Sequence, residues 1–462
     1  MTPYNHSNQD YDDETLEIVH AYEAARRSGT QRYFDEDEME MVIDYYIDQN
    51  DIDKVEQAVD YAQQLFPEAT GIRLRRGILL INRGQHDKAL PLLLELERME
   101  PQNTDVQFAL GELYSFMDQP MKSIQYYLAA AKDQNGLDLI YTNIANEYSY
   151  MHRNEEAIYY YKKALAINPE AVEALQNLAF SYDDSNRLMD GEQFFSLFLK
   201  EHPYSKEGWY ILSNIYNLLS LFEKAIDAGE YALAIDRKFF HPYLSISQSY
   251  LGLNQPGKAA SVLLEAVPFT DQPEMVYNSI GDIYHDAGNL PTAIIYYRKA
   301  VDTDPFNAAA LCGLAHCYTE MNDNGTAATF IDRAIQCSPP LAEYHFDAAQ
   351  IHARNMDIDA AEEHFKKALD LDNSQDDYWL LYAVFLYSCS RYQDAIDLLE
   401  SGVESAEHPD KFDAVVAACY FKLGHQKTFR SIAFNYLSQD AEANSWMDTL
   451  LHICPESSEY LF

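Results

Sequence analysis

Residues 138–171 read DLIYTNIANEYSYMHRNEEAIYYYKKALAINPEA. Apolar residues recur in this stretch on two helical faces, each with the i, i+3, i+4 spacing of one side of a helix. The first face carries Tyr141, Ile144, Ala145 and Tyr148, and the second carries Ala157, Tyr161 and Ala164. Pro169 ends the second helix, because proline lacks the N–H group that would continue the hydrogen-bond ladder. The stretch therefore predicts a helix hairpin.

The same pattern recurs every 34 residues from Glu36 to about residue 443, in twelve copies without an insertion or deletion. Positions are counted here from the first residue of each copy: 36, 70, 104 and so on. Position 8 is Gly, Ala or Ser in eleven copies, so the two helices can approach closely while larger residues fill the space around them. Position 11 is tyrosine in nine copies, namely Tyr46, Tyr114, Tyr148, Tyr182, Tyr216, Tyr250, Tyr284, Tyr318 and Tyr420. Such a period predicts stacked hairpins in an all-α solenoid.

The repeat resembles the tetratricopeptide repeat. Its pattern is W/L/Y-x2-L/I-G/A/S-x2-Y, then A-x3-Y/F-x2-A and a proline, and the clearest copies are 138–171 and 274–307. The resemblance implies a right-handed α-solenoid superhelix of antiparallel helix hairpins, whose first helices line the concave face. It also implies a scaffold or adaptor that binds a protein or peptide on that face.

The segments outside the array are expected to cap it, because a terminal repeat has only one neighbour. The predicted divisions are an N-terminal tail and capping helix (1–35), the array (36–443), and a C-terminal capping helix and tail (444–462). The apolar tail Tyr460–Phe462 leaves a second function open. In that alternative the chain is a structural subunit that forms a homo-oligomer through its end repeats or its tail.

One repeat departs from the pattern where alanine is usual. Repeat 172–205 has Gly191 at position 20 and Phe198 at position 27. We expect the large side chain to compensate for the small one.

The candidate binding residues lie at positions 2, 5, 6, 9, 12 and 13 of the first helices, which point away from the partner helix of the hairpin. In repeats 138–239 these positions are rich in asparagine and aromatic residues, among them Asn143, Asn146, Tyr150, Asn177, Phe180, Tyr210 and Asn214. An amide side chain both donates and accepts hydrogen bonds, so a row of them can pair with the backbone of an extended peptide. Similar asparagine ladders occur in the repeats of O-linked N-acetylglucosamine transferases. The alternative is a polar surface that only binds water.

The chain is strongly acidic, with 74 Asp and Glu against 33 Lys and Arg and a net charge of −41. This charge disfavours nucleic acid and anionic membrane surfaces as partners. The Lys and Arg clamp that binds acidic C-terminal peptides in some tetratricopeptide-repeat proteins is not reproduced, so basic or neutral polypeptides are the expected partners. The alternative is that the charge serves only solubility.

Residue patterns for catalysis are missing. There is no phosphate-binding glycine loop, no dinucleotide fingerprint, no His-Glu-x-x-His and no Gly-x-Ser-x-Gly. We therefore expect no catalytic residues, no cofactor and no enzymatic activity. Six scattered cysteines, no recognisable signal peptide and no long apolar stretch predict a cytoplasmic protein.

One group of residues raises the question of a metal. Cys312 and His316 are four residues apart on one predicted helix face, Cys317 is adjacent, and His285 lies in the preceding repeat. Thiolate and imidazole are zinc ligands, but no compact set of four appears. We expect Cys312 and His316 to be solvated and no metal to bind.

Overall fold

The computed structural model describes residues 13–28, 32–132, 136–338, 340–403, 412–437, 449–450, 452–455 and 457. Within them the chain forms 25 α-helices and no strand, which confirms the all-α prediction. After α1 (Asp13–Ser28) the helices pair as hairpins. The first helices are α2 (Glu36–Asp48), α4 (Thr70–Asn82), α6 (Thr104–Phe116), α8 (Leu137–Tyr150), α10 (Val172–Asp184), α12 (Lys206–Leu218), α14 (His241–Gly252), α16 (Pro273–Asp286), α18 (Ala308–Glu320), α20 (Ala342–Arg354), α22 (Asp376–Ser388) and α24 (Phe412–Lys422). The second helices are α3 (Ile52–Leu65), α5 (His86–Met99), α7 (Pro120–Ala130), α9 (Asn154–Ile167), α11 (Leu188–Glu201), α13 (Phe222–Ile235), α15 (Pro256–Ala266), α17 (Leu290–Thr303), α19 (Asn324–Cys337), α21 (Ile358–Leu371), α23 (Tyr392–Gly402) and α25 (Gln426–Leu437), and a 3-10 turn (Val267–Phe269) follows α15.

The first helices keep the predicted period. Each begins within two residues of the place that a 34-residue step from Glu36 assigns to it, down to Phe412 in the last hairpin. The α-solenoid of helix hairpins is thereby confirmed. The right-handed superhelix remains a prediction.

A left-handed residue closes the first helix of every hairpin. Position 15 has φ between 53° and 78° in each repeat, and only Gly84, Gly288 and Gly424 among these residues are glycines. In repeat 138–171 the left-handed residue is His152, and the next N–H, of Arg153, donates to the Tyr148 carbonyl at 2.8 Å. This hydrogen bond satisfies one of the last helical carbonyls and reverses the chain within a few residues.

The hairpins pack a small residue against a large one, as predicted. A Cβ atom added to Gly111 would lie 2.6 Å from the Tyr127 ring, and one added to Gly281 would lie 2.5 Å from the Tyr297 ring. The glycines at position 8 therefore create the space that the rings at position 24 fill.

The expected compensation between Gly191 and Phe198 takes a different form. A Cβ atom on Gly191 would lie 3.1 Å from the Tyr182 ring, whereas the Phe198 ring lies beside Gly208 of the next repeat. Gly191 thus leaves room for Tyr182, and Phe198 packs beside Gly208, so the two residues do not compensate for each other.

The chain divides into two compact units, Met1–Ile246 and Ser247–Phe462, and the division falls within α14. In the first unit, α1 buries Ile18, Val19 and Tyr22 in a core cluster with residues of α2, α3 and α4. The second unit holds α15 to α25. Among the described residues, no helix combines the length and the apolar character needed to cross a membrane.

The C-terminal end is described only in part. Leu450 and Cys454 are fully buried in a cluster with Ala417 and Phe429 of the last hairpin. Most of the predicted C-terminal division 444–462, including the tail Tyr460–Phe462, lies outside the described residues, as do residues 1–12 at the other end. The domain divisions and the self-assembly alternative therefore remain predictions.

Candidate protein-binding surface

The predicted binding residues lie on three consecutive first helices, α8, α10 and α12, and α10 contacts both of the others. Asn143 on α8 and Asn214 on α12 are each partly exposed. Neither side-chain amide is hydrogen-bonded to another described residue. Since an amide carries two donor hydrogens and an acceptor oxygen, both asparagines can bind an incoming polar chain. We call the exposed side of these three helices the central first-helix surface.

Asn146 and Asn177 are instead paired with each other. The Asn177 amide donates to Asn146 Oδ1 at 3.0 Å, and the Tyr161 hydroxyl donates to the same oxygen at 2.6 Å. The Asn146 amide in turn donates to Glu173 Oε1 at 2.9 Å. These two asparagines hold α8 against α10, so part of the predicted asparagine ladder stabilises the protein itself.

The three predicted aromatic residues differ in how firmly they are held. Phe180 on α10 exposes 59% of its surface. Tyr150 exposes 66%, but its hydroxyl donates to Asp118 Oδ1 at 2.9 Å. The half-buried Tyr210 ring packs against Phe239, with centroids 5.5 Å apart. Phe180 is therefore the aromatic side chain most available to a partner.

Successive first helices are linked by a contact that the sequence pattern did not predict. At three places among the described residues, position 9 of one helix meets position 6 of the next, and we call such a pair a rung. The rungs are Asp44–Arg75 at 2.7 Å, Asn146–Asn177 at 3.0 Å and His316–Asp347 at 3.0 Å. The two residues of each rung are 31 apart in the chain. Complementary polar residues at that spacing are therefore the sequence signal from which these contacts could have been predicted.

A buried polar network lies below the central first-helix surface. The Asn217 amide donates to the Ser245 carbonyl at 2.9 Å, and the hydroxyls of Ser213 and Ser245 are 2.7 Å apart. Ser213 also donates to the Ala225 carbonyl at 2.7 Å. Because buried polar groups need partners, this network fixes the position of α12.

The first helices of the first unit carry more acidic than basic residues. Arg75 on α4 is bound by Asp44 and also lies 3.0 Å from Glu40. Its charge is thereby neutralised within the protein. Further along, burial raises the pKa of Glu112 on α6 to about 8. A buried carboxyl favours its neutral form because the anion loses its hydration.

Of the cysteine and histidine singled out in the sequence, the cysteine is not solvated as expected, whereas the His316 side chain is 43% exposed. Cys312 is buried, with 8% of its surface exposed, rather than solvated. Its Sγ lies 3.6 Å from His316 Nε2 and 3.7 Å from Asp347 Oδ2, and these nitrogen and oxygen atoms are 3.0 Å apart. Sequence reasoning missed Asp347 as a member of this group. His285 is elsewhere, with its Nε2 2.8 Å from Glu320 Oε1.

The Cys312 group does not have the geometry of a nucleophile and base. Both Cys312 and Asp347 meet Nε2 of His316, whereas a relay places the acid on the other ring nitrogen. The hydrogen bonds to Asp347 and Cys312 raise the pKa of His316 to about 10, and burial raises the pKa of the Cys312 thiol. The resting group is thus a His316–Asp347 hydrogen bond beside the buried Cys312 thiol.

A second group of histidines was also missed. His352 Nε2 lies 3.1 Å from Asp332 Oδ1, and the His364 Nε2 lies 3.9 Å from the same oxygen. His364 Nδ1 is 2.9 Å from His345 Nδ1. Burial, and then repulsion from His345 and His352, lowers the pKa of His364 to about 4.

These two histidines replace an aromatic pair. The rings of His352 and His364 stack with centroids 5.4 Å apart, at positions 11 and 23. Tyr148 and Tyr160 stack in the same way at 5.7 Å, and Tyr284 and Tyr296 at 5.8 Å. Packing therefore accounts for the histidine pair.

Sequence comparison identifies the repeat. The profile of the tetratricopeptide repeat matches residues 139–170 and 276–307, which are the α8–α9 and α16–α17 hairpins. The profile of the anaphase-promoting complex, cyclosome, subunit 3, matches residues 320–402. How many of the other hairpins conform to the repeat remains a prediction.

Several curated proteins are similar to this chain. Anaphase-promoting complex subunit 3 of Schizosaccharomyces pombe is 22% identical over 153 residues, which are 33% of this chain and 23% of that protein. The BBSome complex member BBS4 of Bos taurus is 22% identical over 331 residues, 70% of this chain and 55% of that protein. The mitochondrial import receptor subunit TOM70 of Homo sapiens is 20% identical over 295 residues, 60% of this chain and 48% of that protein. This chain thus spans between 23% and 55% of the length of these relatives.

Among solved structures, the crystal structure of the APC/C hetero-tetramer Cut9-Hcn1 aligns with 87% of this chain and 92% of that chain. Its TM-score is 0.37 and its sequence identity is 13%.

Proposed function

We propose that this chain, which belongs to the tetratricopeptide-repeat family, is a non-enzymatic scaffold that binds a segment of another polypeptide on the central first-helix surface. The main support is that the side-chain amides of Asn143 and Asn214 make no hydrogen bond to another described residue. The amides of Asn143 and Asn214 lie on the helices either side of α10, which carries the exposed Phe180. The names of two relatives, a subunit of the anaphase-promoting complex and a BBSome member, accord with a place in a multi-protein assembly.

The binding mode follows from the chemistry of these side chains. The two asparagines pair with backbone N–H and C=O groups of an extended segment, and Phe180 covers an apolar side chain of that segment. The Asn146–Asn177 rung, with Tyr161 bound to it, keeps α8 and α10 in register. A surface that is already ordered loses little conformational entropy on binding.

The charge of the chain favours a basic or neutral partner over an acidic one. The net charge is −41, and Arg75 on the first helices is neutralised by Asp44 and Glu40. Opposite charge increases the association rate more than the final affinity, and salt weakens it. Nucleic acid and anionic membranes are not the proposed ligands, since the same charge repels them.

We place this function in the reducing cytoplasm. None of the six cysteines forms a disulfide, and four of them, Cys312, Cys317, Cys419 and Cys454, are buried. A chain that folds without disulfides suits a compartment that keeps thiols reduced.

The test is a peptide selection followed by a matched pair of variants. A displayed library of random peptides is selected on the purified protein, and one recovered peptide is titrated by fluorescence anisotropy. The test variant is Asn143→Ala, Phe180→Ala, Asn214→Ala, and the control is Gln193→Ala, Leu197→Ala on the exposed face of α11. Each lost neutral hydrogen bond removes about 1 kcal/mol, so we expect the test variant to bind at least about tenfold more weakly.

The variants in this test avoid residues that support the fold. Asn177 and Tyr210 are left intact, because the first holds the rung and the second packs on Phe239. Equal affinity of the wild type and the test variant for every recovered peptide would contradict the proposal. If no peptide is recovered and sedimentation shows a stable oligomer, the self-assembly alternative gains instead.

A further inference from the structure

Cys312, His316 and Asp347 bring three different ligand atoms together on the first helices of the second unit. Cys312 and His316 are four residues apart on α18, so they share one face of that helix. Asp347 comes from α20, one repeat further on. The contact between His316 and Asp347 is a rung, and Cys312 lies one turn away on the same helix.

Two of the three distances match one face of a zinc tetrahedron, and the third is about 0.4 Å shorter than the tetrahedron requires. With Zn–S of about 2.3 Å and Zn–N or Zn–O of about 2.0–2.2 Å, tetrahedral angles require S···N and S···O separations of about 3.6 Å and N···O of about 3.4 Å. The observed separations are 3.6 Å from Sγ to Nε2, 3.7 Å from Sγ to Oδ2 and 3.0 Å from Nε2 to Oδ2. A small outward movement of the carboxylate admits the ion.

We propose that Cys312 Sγ, His316 Nε2 and Asp347 Oδ2 bind one Zn²⁺ ion, with a fourth position open to solvent. Thiolate and carboxylate together balance the charge of the ion, and the neutral imidazole completes the three protein ligands. The Cys312 thiol and the His316 ring each give up a proton when the ion binds. The site lies outside the central first-helix surface and is independent of the function proposed for that surface.

Burial around the group favours a held ion with one open side. Cys312 exposes 8% of its surface, and the Asp347 side chain exposes 19%. The His316 side chain exposes 43% and, with Asp347, lines a shallow cavity. The other residues lining the cavity are Thr319, Glu320, Gln350, Ile351 and Arg354. Water or a side chain of a partner protein can take the fourth position from this cavity.

The group of Asp332, His352 and His364 is the competing location for a metal. Its atoms also lie within 4.8 Å of one another. However, the His364 Nε2 is 3.9 Å from the Asp332 oxygen, and stacking already explains the two imidazoles. It contains no thiol, so the two locations can be told apart by spectroscopy.

The test uses the full chain, stripped with a chelator and dialysed against Zn²⁺ or Co²⁺ alone. Zinc is counted by atomic emission, affinity is measured against a chromophoric chelator, and cobalt is followed by absorption. The variants are Cys312→Ser and Asp347→Asn. Their controls are Cys337→Ser, a cysteine outside the group, and Glu343→Gln, one turn before Asp347 on α20.

We expect one zinc per chain bound by this group in the wild type and both controls, and a thiolate-to-cobalt charge-transfer band. Cys312→Ser should lose the band. Both test variants should bind zinc at least about tenfold more weakly. Replacing a residue that only hydrogen-bonds to a metal ligand can already cause a loss of this size. Unchanged circular dichroism in Asp347→Asn, which keeps the side-chain shape, separates loss of the site from loss of the fold.

Two results would overturn the inference. One is wild-type protein that takes up no zinc beyond that of Cys312→Ser. The other is zinc that Cys312→Ser retains and His364→Gln loses, since the ion would then belong to the second group. Without the ion, the three residues would be a hydrogen-bonded His316–Asp347 pair beside a buried thiol.

Discussion

Replacing Glu112 with glutamine should stabilise the first unit at neutral pH. Glu112 is 8% exposed on α6, and burial raises its pKa from an ordinary 4.5 to about 8. Because the native pKa lies above the unfolded one, the contribution of this carboxyl to stability is complete below pH 4.5 and is lost as the pH rises from 4.5 to 8. Glutamine has nearly the shape of the protonated acid and does not titrate.

The magnitude follows from the pKa. At pH 7 the carboxyl is ionised in the unfolded chain and mostly protonated in the native protein. This pH lies about 2.5 units above the pKa of the unfolded carboxyl. At about 1.4 kcal/mol per unit, the wild type loses about 3 kcal/mol that Glu112→Gln retains. At pH 4.5 the corresponding loss is below about 0.5 kcal/mol.

The assay is amide hydrogen exchange of α6 and α7 together with urea unfolding, at pH 4.5 and pH 7. Local exchange is needed because repeat proteins can open hairpin by hairpin. The control is Glu68→Gln, the same change at an exposed glutamate between α3 and α4. The difference between wild type and Glu112→Gln should grow with pH, whereas that for Glu68→Gln should stay near zero.

A difference between wild type and Glu112→Gln that is the same at both pH values would refute the reasoning. It would show that the native carboxyl is hydrated or paired, so that its charge is not suppressed by burial. A stability difference that does not change with pH would arise if the amide packs better or worse than the acid, and it would not support the prediction.

Two further predictions concern the second unit. Gly281→Ala should destabilise this unit by about 1–3 kcal/mol in thermal unfolding, because the new Cβ would lie 2.5 Å from the Tyr297 ring. The control Gly325→Ala, whose Cβ meets open space, should be neutral or stabilising by about 0.5 kcal/mol. Equal losses of stability in the two variants would contradict the packing argument. His364→Gln should flatten the acid side of the profile of stability against pH. The pKa of His364 is about 4 in the native protein, so the stability that the neutral ring contributes is complete above pH 6.5. It is lost as the pH falls from 6.5 toward 4, by up to about 3 kcal/mol. Urea titrations from pH 4 to pH 7 measure this, and parallel profiles of wild type and variant would contradict it.

Several parts of the candidate site could be predicted from the sequence and others could not. The spacing placed Asn143, Phe180 and Asn214 on one side of successive first helices, and the structure leaves them exposed or partly exposed there. The same reasoning treated Asn146 and Asn177 as free ligands, although they bind each other. Periodicity assigns a residue to a face of its own helix, but whether two faces touch depends on how adjacent helices cross.

The sequence by itself determined the all-α fold, the 34-residue hairpin and the pairing of small with large residues inside it. Those features depend on contacts that are local in the chain and repeat with it, such as Gly281 against Tyr297. Only the tertiary structure decided that Asp347 joins Cys312 and His316, and that Glu112 is buried. Contacts between neighbouring repeats depend on the offset and angle of helices about thirty residues apart, and burial of a charge depends on everything packed around it. Neither the geometry between helices nor the burial of a charge can be predicted from the spacing of residues along one helix.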